Sequence, residues 1–367
     1  MASKKALIAM SGGVDSSVAV LLVRNKGYDC VGCTMKLYNN EDANIPKEHT
    51  CCSLDDVEDA RNVAYRLGIP YYVFNFTNDF KEKVIDKFVR CYECGITPNP
   101  CIDCNKYMKF DKLYNRAKIL GCDYVVTGHY ARIEFDGKNF ILKKAIDETK
   151  DQSYVLYSMT QEQLKHTLFP LGTIKKTETR KIAAENNFIN SNKPDSQDIC
   201  FVPNGEYSKV IENYTGKKPV SGDFINTNGE VIGKHNGIIN YTIGQRKGLG
   251  ITGKVPLYVC KINAKNNTVT LGNDKDLFDS VAIVKDFNWI MGKPLEREIK
   301  CKVKVRYRQK EQSATLILLE NNDVKIIFDE PQRAITPGQA AVAYLGDVVL
   351  GGGVIDKVLK KGEKDVI

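Results

Sequence analysis

Residues 5–27 constrain the fold more than any other stretch of the chain. KALIAM (5–10) is a short apolar run, SGGVDSS (11–17) is a turn, and VAVLLVRNKG (18–27) has helical apolar content and stops at Gly27. An apolar strand that passes through paired glycines into a helix is the opening unit of a parallel α/β sheet. Gly12 and Gly13 permit a tight turn with the backbone close to a ligand. The helix that follows presents N–H groups without intrahelical partners and the positive end of its dipole. Ser11, Ser16 and Ser17 add hydroxyl donors, and together these features describe a phosphate site. The loop is not a Walker A loop, because the Gly-Lys-Ser/Thr ending is missing, and it is not GxGxxG. A Gly-rich turn with serine capping is the plain alternative. Asp15 either orients a metal ion on a phosphate or caps the helix.

The first half continues the alternation. DCVGCTM (29–35) reads as a second strand, and Ser53 is a candidate cap for a helix with Leu54, Val57, Ala60, Ala64 and Leu67 on one face. Gly68 ends that helix, PYYVFNF (70–76) is rich in β formers, and DYVVTGH (123–129) is a further buried strand. The expected fold is α/β, a doubly wound parallel sheet covered on both faces. From 216 to 260 the chain turns to glycines, short β runs and turn dipeptides such as Asn228-Gly229. From about 280 to 357 it is dominated by AIVKDF, KCKVKVRY, SATLILLE, VKIIFD, AAVAYL and VVLGGGVI, which suggests a small β-barrel or sandwich.

Twelve cysteines in 367 residues would suit a secreted scaffold, but this chain is too long for one. MASKKALIAM reads as a first strand rather than a signal peptide, and no apolar run is long enough to span a bilayer. The expectation is a cytoplasmic protein with no membrane association, in which clustered cysteines are metal ligands or redox-active thiols. RCYECGITPNPCIDCN (90–105) holds Cys91, Cys94, Cys101 and Cys104. Zinc, disulfide and nucleophile readings all remain open at this point. Cys51-Cys52 reads as a feature of the loop entering a helix. Cys30, Cys33, Cys122, Cys260 and Cys301 lie in β-like runs and are expected as buried apolar residues. The formal charge of +8 is compatible with an anionic partner such as RNA, and equally with a lysine-solvated surface.

SGGVDS after an apolar strand resembles the pyrophosphate loop of ATP-pyrophosphatases. TPNPCIDCNKYMKF (97–110), TGHYAR (127–132), KDQSYVL (150–156), DSQDICF (195–201), HNGIINYTIGQRKGLGI (235–251), VRYRQ (305–309) and PGQAAVAY (337–344) follow in order. Together they closely resemble the bacterial tRNA-specific 2-thiouridylases over nearly the whole chain. That resemblance implies an ATP-pyrophosphatase domain (1–205), a small central β-rich domain (206–278) and a C-terminal β-barrel that helps hold tRNA (279–367). It implies ATP-dependent conversion of the C2 oxygen of the wobble uridine to sulfur, with Mg2+ accompanying ATP. The implied partners are tRNAs for Lys, Glu and Gln and a sulfur-donor protein, either a cysteine desulfurase or a relay.

The resemblance assigns residues as well. Cys104 is the nucleophile and Cys200 the persulfide carrier, with a transient Cys104–Cys200 disulfide. Ala9, Met10, Ser11, Gly12, Gly13, Val14, Asp15, Ser16, Met35 and Gly128 fall to ATP. Asn99, Pro100 and Cys101 fall to the target base. Some family members carry Asp at the position of Cys101, so a general acid/base role there is in doubt. His129, Lys150, Asp151, Gln152, Arg306, Tyr307, Arg308 and Gln339 fall to tRNA; for His129 a buried capping role is the alternative. A second reading makes Cys101, Cys104 and Cys200 ligands of an iron–sulfur cluster, but a metal-free thiol pair is preferred. Outside this family stand another adenylating enzyme and a non-catalytic RNA- or metal-binding protein. The separated reactive cysteines argue against the first, and the intact SGGVDSS loop argues against the second.

Overall fold

The computed structural model describes residues 3–38, 54–195, 199–202, 205–251 and 255–360. The chain divides into two compact units: residues 1–85, 100–205 and 346–349, and residues 86–99, 206–345 and 350–367.

Seven strands of the first unit run in chain order as β1 (Lys5–Ala9), β2 (Asp29–Lys36), β3 (Tyr71–Asn75), β4 (Tyr124–Val126), β5 (Ala131–Phe135), β6 (Phe140–Lys144) and β7 (Thr167–Leu168). Five of them form a parallel sheet in the order β3-β2-β1-β4-β7, and β5 and β6 pair as an antiparallel hairpin. β1 lies in the middle with Ala6, Leu7 and Ile8 fully buried, as a strand covered on both faces requires. The chain winds outward from β1 through β2 to β3, then returns to lay β4 on the other side of β1. The strand order therefore reverses between β1 and β4, where open α/β sheets bind ligands at the carboxyl ends of their strands. Those two ends carry Met10–Gly13 and Thr127–His129.

Helix α1 (Val14–Asn25) starts inside the SGGVDSS turn, so the loop itself is short. Its Val14, Val18, Ala19, Val20, Leu21 and Val23 are buried in one core with Ala6, Ile8 and Val126 of the sheet. Helix α2 (Leu54–Arg66) buries Ala60, Val63 and Ala64, but its first turn departs from the expected face. Leu54 is 85% exposed, while Asp56 is buried. The reason is electrostatic: Lys193 Nζ reaches Asp56 at 2.6 Å and Asp59 at 2.8 Å. Those ion pairs turn the acidic side of the first turn inward. Ser53, Cys51 and Cys52 lie outside the described residues.

The second unit holds two β structures. β8 (Gly222–Ile225), β9 (Val231–His235), β10 (Tyr258–Asn263) and β11 (Thr268–Gly272) form a four-stranded sheet in the order β10-β11-β8-β9. β12 (Phe278–Trp289), β13 (Glu298–Lys304), β14 (Gln312–Leu318), β15 (Val324–Arg333), β16 (Ala340–Leu345) and β17 (Val348–Leu359) run in the order β12-β15-β14-β13-β16-β17. Antiparallel pairing of β12 with β17 closes them into a barrel and removes both sheet edges. Val303, Leu316, Ile326, Ala341 and Ile355 are among the residues of its core. The segment from Asp86 to Asn99 packs with this unit: Tyr92 stacks on Tyr207 with ring centroids 5.8 Å apart.

Candidate functional site

The turn after β1 is built to leave a helix terminus open. Gly13 is the N-cap of α1, at φ −90° and ψ 159°, and no side chain caps it. Ser16 Oγ donates to Gly13 O at 3.0 Å and accepts from Ser11 N at 3.2 Å; Ser17 Oγ donates to Gly13 O at 3.1 Å. Those two hydroxyls, expected as ligand donors, are buried and hydrogen-bonded within the loop, while Ser11 is exposed. Gly12 has φ +72°, and a Cβ there would sit 2.4 Å from Asp56 O, so α2 closes one side of the loop. Gly128, at the end of β4, closes another: a Cβ would lie 2.9 Å from Ser16 N. The structure thus brings Gly128 against the first turn of α1. Met10 is buried beside Gly32, with its N–H on Cys33 O at 2.7 Å, and Met35 is half-buried toward the end of β2. Ala9 is half-buried at the end of β1, and Val14 is buried at the start of α1.

Asp15 projects from that first turn and does not cap the helix. Lys176 Nζ donates to its two oxygens at 2.6 and 2.8 Å, and Tyr130 Oη donates at 2.9 Å. Burial and the adjacent Asp15 carboxylate hold the Tyr130 phenol protonated. Lys176 also reaches Asp195 at 2.8 Å, so all three ammonium protons have carboxylate acceptors. Asp195 in turn binds Lys150 and Arg180, each at 2.8 Å. Burial would raise the Asp195 pKa, but Lys150 and Lys176 outweigh it and hold it at about 2. A chain of ion pairs therefore runs from the glycine loop to Asp195, the first residue of the DSQDICF segment that contains Cys200. Asn190, also buried, donates to Gly12 O and Ser17 Oγ at 2.9 Å each, and its Oδ1 has no partner among the described residues.

The two cysteines 96 positions apart stand on neighbouring pieces of the first unit. Pro100 opens a short helix (Pro100–Asp103), which continues at Cys104 as a π-helix (Cys104–Lys112). Such wide turns are frequent at functional sites. Asn105 anchors it, donating Nδ2 to Val155 O at 3.1 Å. The helix Thr77–Phe80 contacts this π-helix, and Phe80 meets Phe201 edge-on at 5.7 Å. Tyr38 Oη donates to Cys200 O at 2.7 Å. Cys104 and Cys200 are both half-buried and Cys101 is exposed. Cys30, Cys33, Cys122 and Cys301 are buried as expected; Cys260 is half-buried. Burial pushes the Cys30 and Cys260 thiols up to about 11 and Cys301 to about 12, which makes them inert.

The residues expected to face tRNA divide. His129 is 7% exposed. Its Nε2 lies 3.3 Å from Lys109 Nζ and its Nδ1 2.7 Å from Thr127 Oγ1, while Phe110 and Phe169 flank the ring. Burial, with Lys109 adding to it, holds the ring neutral, so it accepts from Lys109 and donates to Thr127. An RNA contact through that ring requires its neighbours to move. Asp151 is committed to the backbone N–H groups of Ala145 and Ser153 and to Ser153 Oγ, and Gln152 Oε1 to Tyr130 N. Arg306 is a buttress inside its own unit: Nη2 donates to Ile243 O (3.3 Å), Ala334 O (2.7 Å) and Thr336 Oγ1 (2.9 Å). Tyr307 and Arg308 are exposed. Gln339 Nε2 donates to Thr97 O at 2.8 Å and Pro98 O at 3.2 Å, next to Asn99.

Residues 4–204 match the family model described as the tRNA methyl transferase HUP domain. Residues 208–273 match its PRC-barrel domain, and residues 280–355 match the aminomethyltransferase beta-barrel domain. The chain is 51% identical over 359 residues to the tRNA-specific 2-thiouridylase MnmA of Clostridioides difficile (strain 630), covering 97% of this chain and 99% of that one. This chain belongs to the tRNA-specific 2-thiouridylase family. It is also 49% identical over 356 residues to the MnmA of Clostridium beijerinckii (strain ATCC 51743 / NCIMB 8052), covering 97% of this chain and 99% of that one. Among solved structures, a 4-thiouridine synthetase–RNA complex with bound ATP aligns with 55% of this chain and 46% of its own, at 20% identity and a TM-score of 0.34.

For a thiouridylase of this family, the residues that sequence reasoning missed are Lys176, Tyr130, Asn190 and Lys193. Each is a polar group that packs on the SGGVDSS loop from more than a hundred positions away. Lys176 had a local signal, since it opens the helix Lys176–Glu185, but nothing local points it at Asp15.

Proposed function

We propose that this chain is an ATP-dependent tRNA sulfurtransferase that makes 2-thiouridine at the wobble position. The observation that carries this reading is the uncapped N-terminus of α1 at the β1/β4 reversal, in a chain of this family, linked by Lys176 to the segment bearing Cys200. The helix terminus and the Gly13 turn receive the phosphates of ATP. The C2 oxygen of uridine attacks the α-phosphorus, pyrophosphate departs, and AMP becomes a leaving group on C2. The outer sulfur of a Cys200 persulfide then attacks C2 and expels AMP. Cys104 attacks the inner sulfur, Cys200 Sγ. The S–S bond breaks, sulfur stays on the base, and a Cys104–Cys200 disulfide closes. An external thiol reductant reopens that disulfide, and a sulfur-donor protein reloads Cys200. In this reading Asn99, Pro100 and Cys101 line the base, and the domains divide near residues 205 and 278. The substrates are the wobble-uridine tRNAs for Lys, Glu and Gln, and the enzyme works in the cytoplasm. No helix among the described residues is long and apolar enough to cross a membrane.

Mg2+ is expected to arrive with ATP. Asp15 already has Lys176 on both oxygens, so the side chains here do not present a ready cation site, and the ion belongs to the phosphates. Among the described residues no group of three or more His, Cys, Asp or Glu is arranged to hold a metal. The steps above use the metal-free thiol pair.

The test is product analysis with ATP, tRNA and a persulfide donor. AMP and pyrophosphate should form in a tRNA-dependent way, with one 2-thiouridine per AMP. Cys104→Ser and Cys200→Ser should each abolish thiolation while tRNA binding persists, because a hydroxyl is far less nucleophilic than a thiolate. Formation of ADP and phosphate would overturn the adenylation step.

A further inference from the structure

We propose that the turn Pro337-Gly338-Gln339 is a clamp on the segment leading into Asn99, and that Gln339 is a positioning residue for that segment. The consequence for catalysis rests on the function proposed above; the clamp itself does not.

The segment 95–99 cannot be held by ordinary strand pairing, because Pro98 lacks an N–H and Pro100 follows directly. The turn supplies what is missing. Both protons of the Gln339 amide are taken, one by Thr97 O and one by Pro98 O. Thr97 N–H donates to Pro337 O at 3.2 Å. Gly338 sits at φ +89°, and a Cβ there would lie 2.3 Å from Ile96 Cγ2 and 2.9 Å from Thr97 O. The turn and the segment therefore touch backbone to backbone, an approach that only glycine allows. Gln339 is itself fixed: its carbonyl accepts from Ile355 N at 2.8 Å, and Gly338 N–H donates to Ile355 O at 2.8 Å. From the central sheet, Ile262 closes on Gly95, where a Cβ would lie 2.7 Å from Ile262 Cγ2. Barrel turn and β10 thus grip residues 95–98, and Asn99 leaves the grip in one direction. With both donors on protein carbonyls, only the acceptor Oε1 remains for another partner.

The experiment uses the full chain and the Gln339→Met variant, which keeps the side-chain length and removes both donors. Hydrogen exchange without substrates should quicken in peptides covering residues 91–97. With tRNA, affinity should stay at the parent's value, while the single-turnover thiolation rate at saturating tRNA should fall about a hundredfold, the effect of ångström-scale misplacement of a reacting segment. Gly338→Ala, which leaves Gln339 in place, should reproduce both effects, and it decides the matter if the Met variant melts early. Unchanged exchange at 91–97 in both variants would overturn the clamp. Weakened tRNA affinity with an unchanged rate at saturation would overturn it too, and would return Gln339 to the RNA surface. If the parent makes no 2-thiouridine, the function reading fails, and the exchange result alone decides the clamp.

Discussion

Alanine at Gly12 and alanine at Gly13 should behave oppositely, though the two glycines adjoin. At Gly12 the backbone has φ +72°, and the new Cβ would stand 2.4 Å from Asp56 O and 2.8 Å from Asp56 Cα. The left-handed conformation costs about 1 kcal/mol for alanine. Relieving the overlap requires moving backbone in the first turn of α2, which Lys193 pins through Asp56, and overpacking of this kind costs about 1–3 kcal/mol. The sum, roughly 2–4 kcal/mol, lowers the melting temperature by about 5–15 °C in a unit of this size. At Gly13 the backbone has φ −90°, and the nearest atom to a Cβ is Ser11 Oγ at 3.5 Å, an ordinary contact. There the loss of unfolded-state freedom favours alanine by about 0.4–1 kcal/mol, so the melting temperature should hold or rise slightly. ATP affinity should nonetheless fall in Gly13→Ala, because the methyl group stands where the phosphates approach the helix terminus. The assay is a thermal melt of both variants beside an ATP titration. A parent-like melt for Gly12→Ala, or an equal drop for both, would refute the reasoning.

Further outcomes follow from the same geometry. Lys176→Met should weaken ATP binding and lower stability near neutral pH, because Asp15 is left with Tyr130 alone. Asp195 titrates at about 2 when folded, below its unfolded value, so its pairing stabilises above roughly pH 4 and is lost as pH falls toward 2. The stability gap between parent and Lys176→Met, measured by denaturant melts, should therefore close across that window; a gap that widens in acid contradicts the pairing. Arg308→Ala should reduce the slope of log K for tRNA against log salt by about one. Arg306→Ala should lower the melting temperature with the slope intact, since its guanidinium serves Ile243, Ala334 and Thr336. The reverse pattern would exchange their roles.

What could be read in the sequence was local. β1, α1 and the glycine turn were legible because strand burial, helix periodicity and left-handed glycine are properties of a few adjacent residues. The barrel was legible because each strand announces itself with alternating apolar residues between turns. Long polar side chains were not legible. Lys176 lies 161 positions from Asp15, and Gln339 lies 242 from Thr97. A lysine, arginine or glutamine reads the same whether it meets solvent, a phosphate or a backbone carbonyl. Arg306 was expected to face RNA, and its Nη2 also donates to Ile243 O, Ala334 O and Thr336 Oγ1. Phe110 and Phe169 cover the His129 ring, a burial that sequence alone does not reveal. Leu54 was assigned to the core by spacing, but the first turn of α2 answers to Lys193.

Transfer of the uridine oxygen to AMP tests the central claim most directly. A tRNA whose target uridine carries oxygen-18 at C2 should be incubated with ATP and enzyme preloaded with persulfide, and the products analysed by mass spectrometry. Adenylation of the C2 oxygen predicts that the label leaves with AMP, one labelled AMP for each 2-thiouridine formed. Label released into water, with unlabelled AMP, would contradict it.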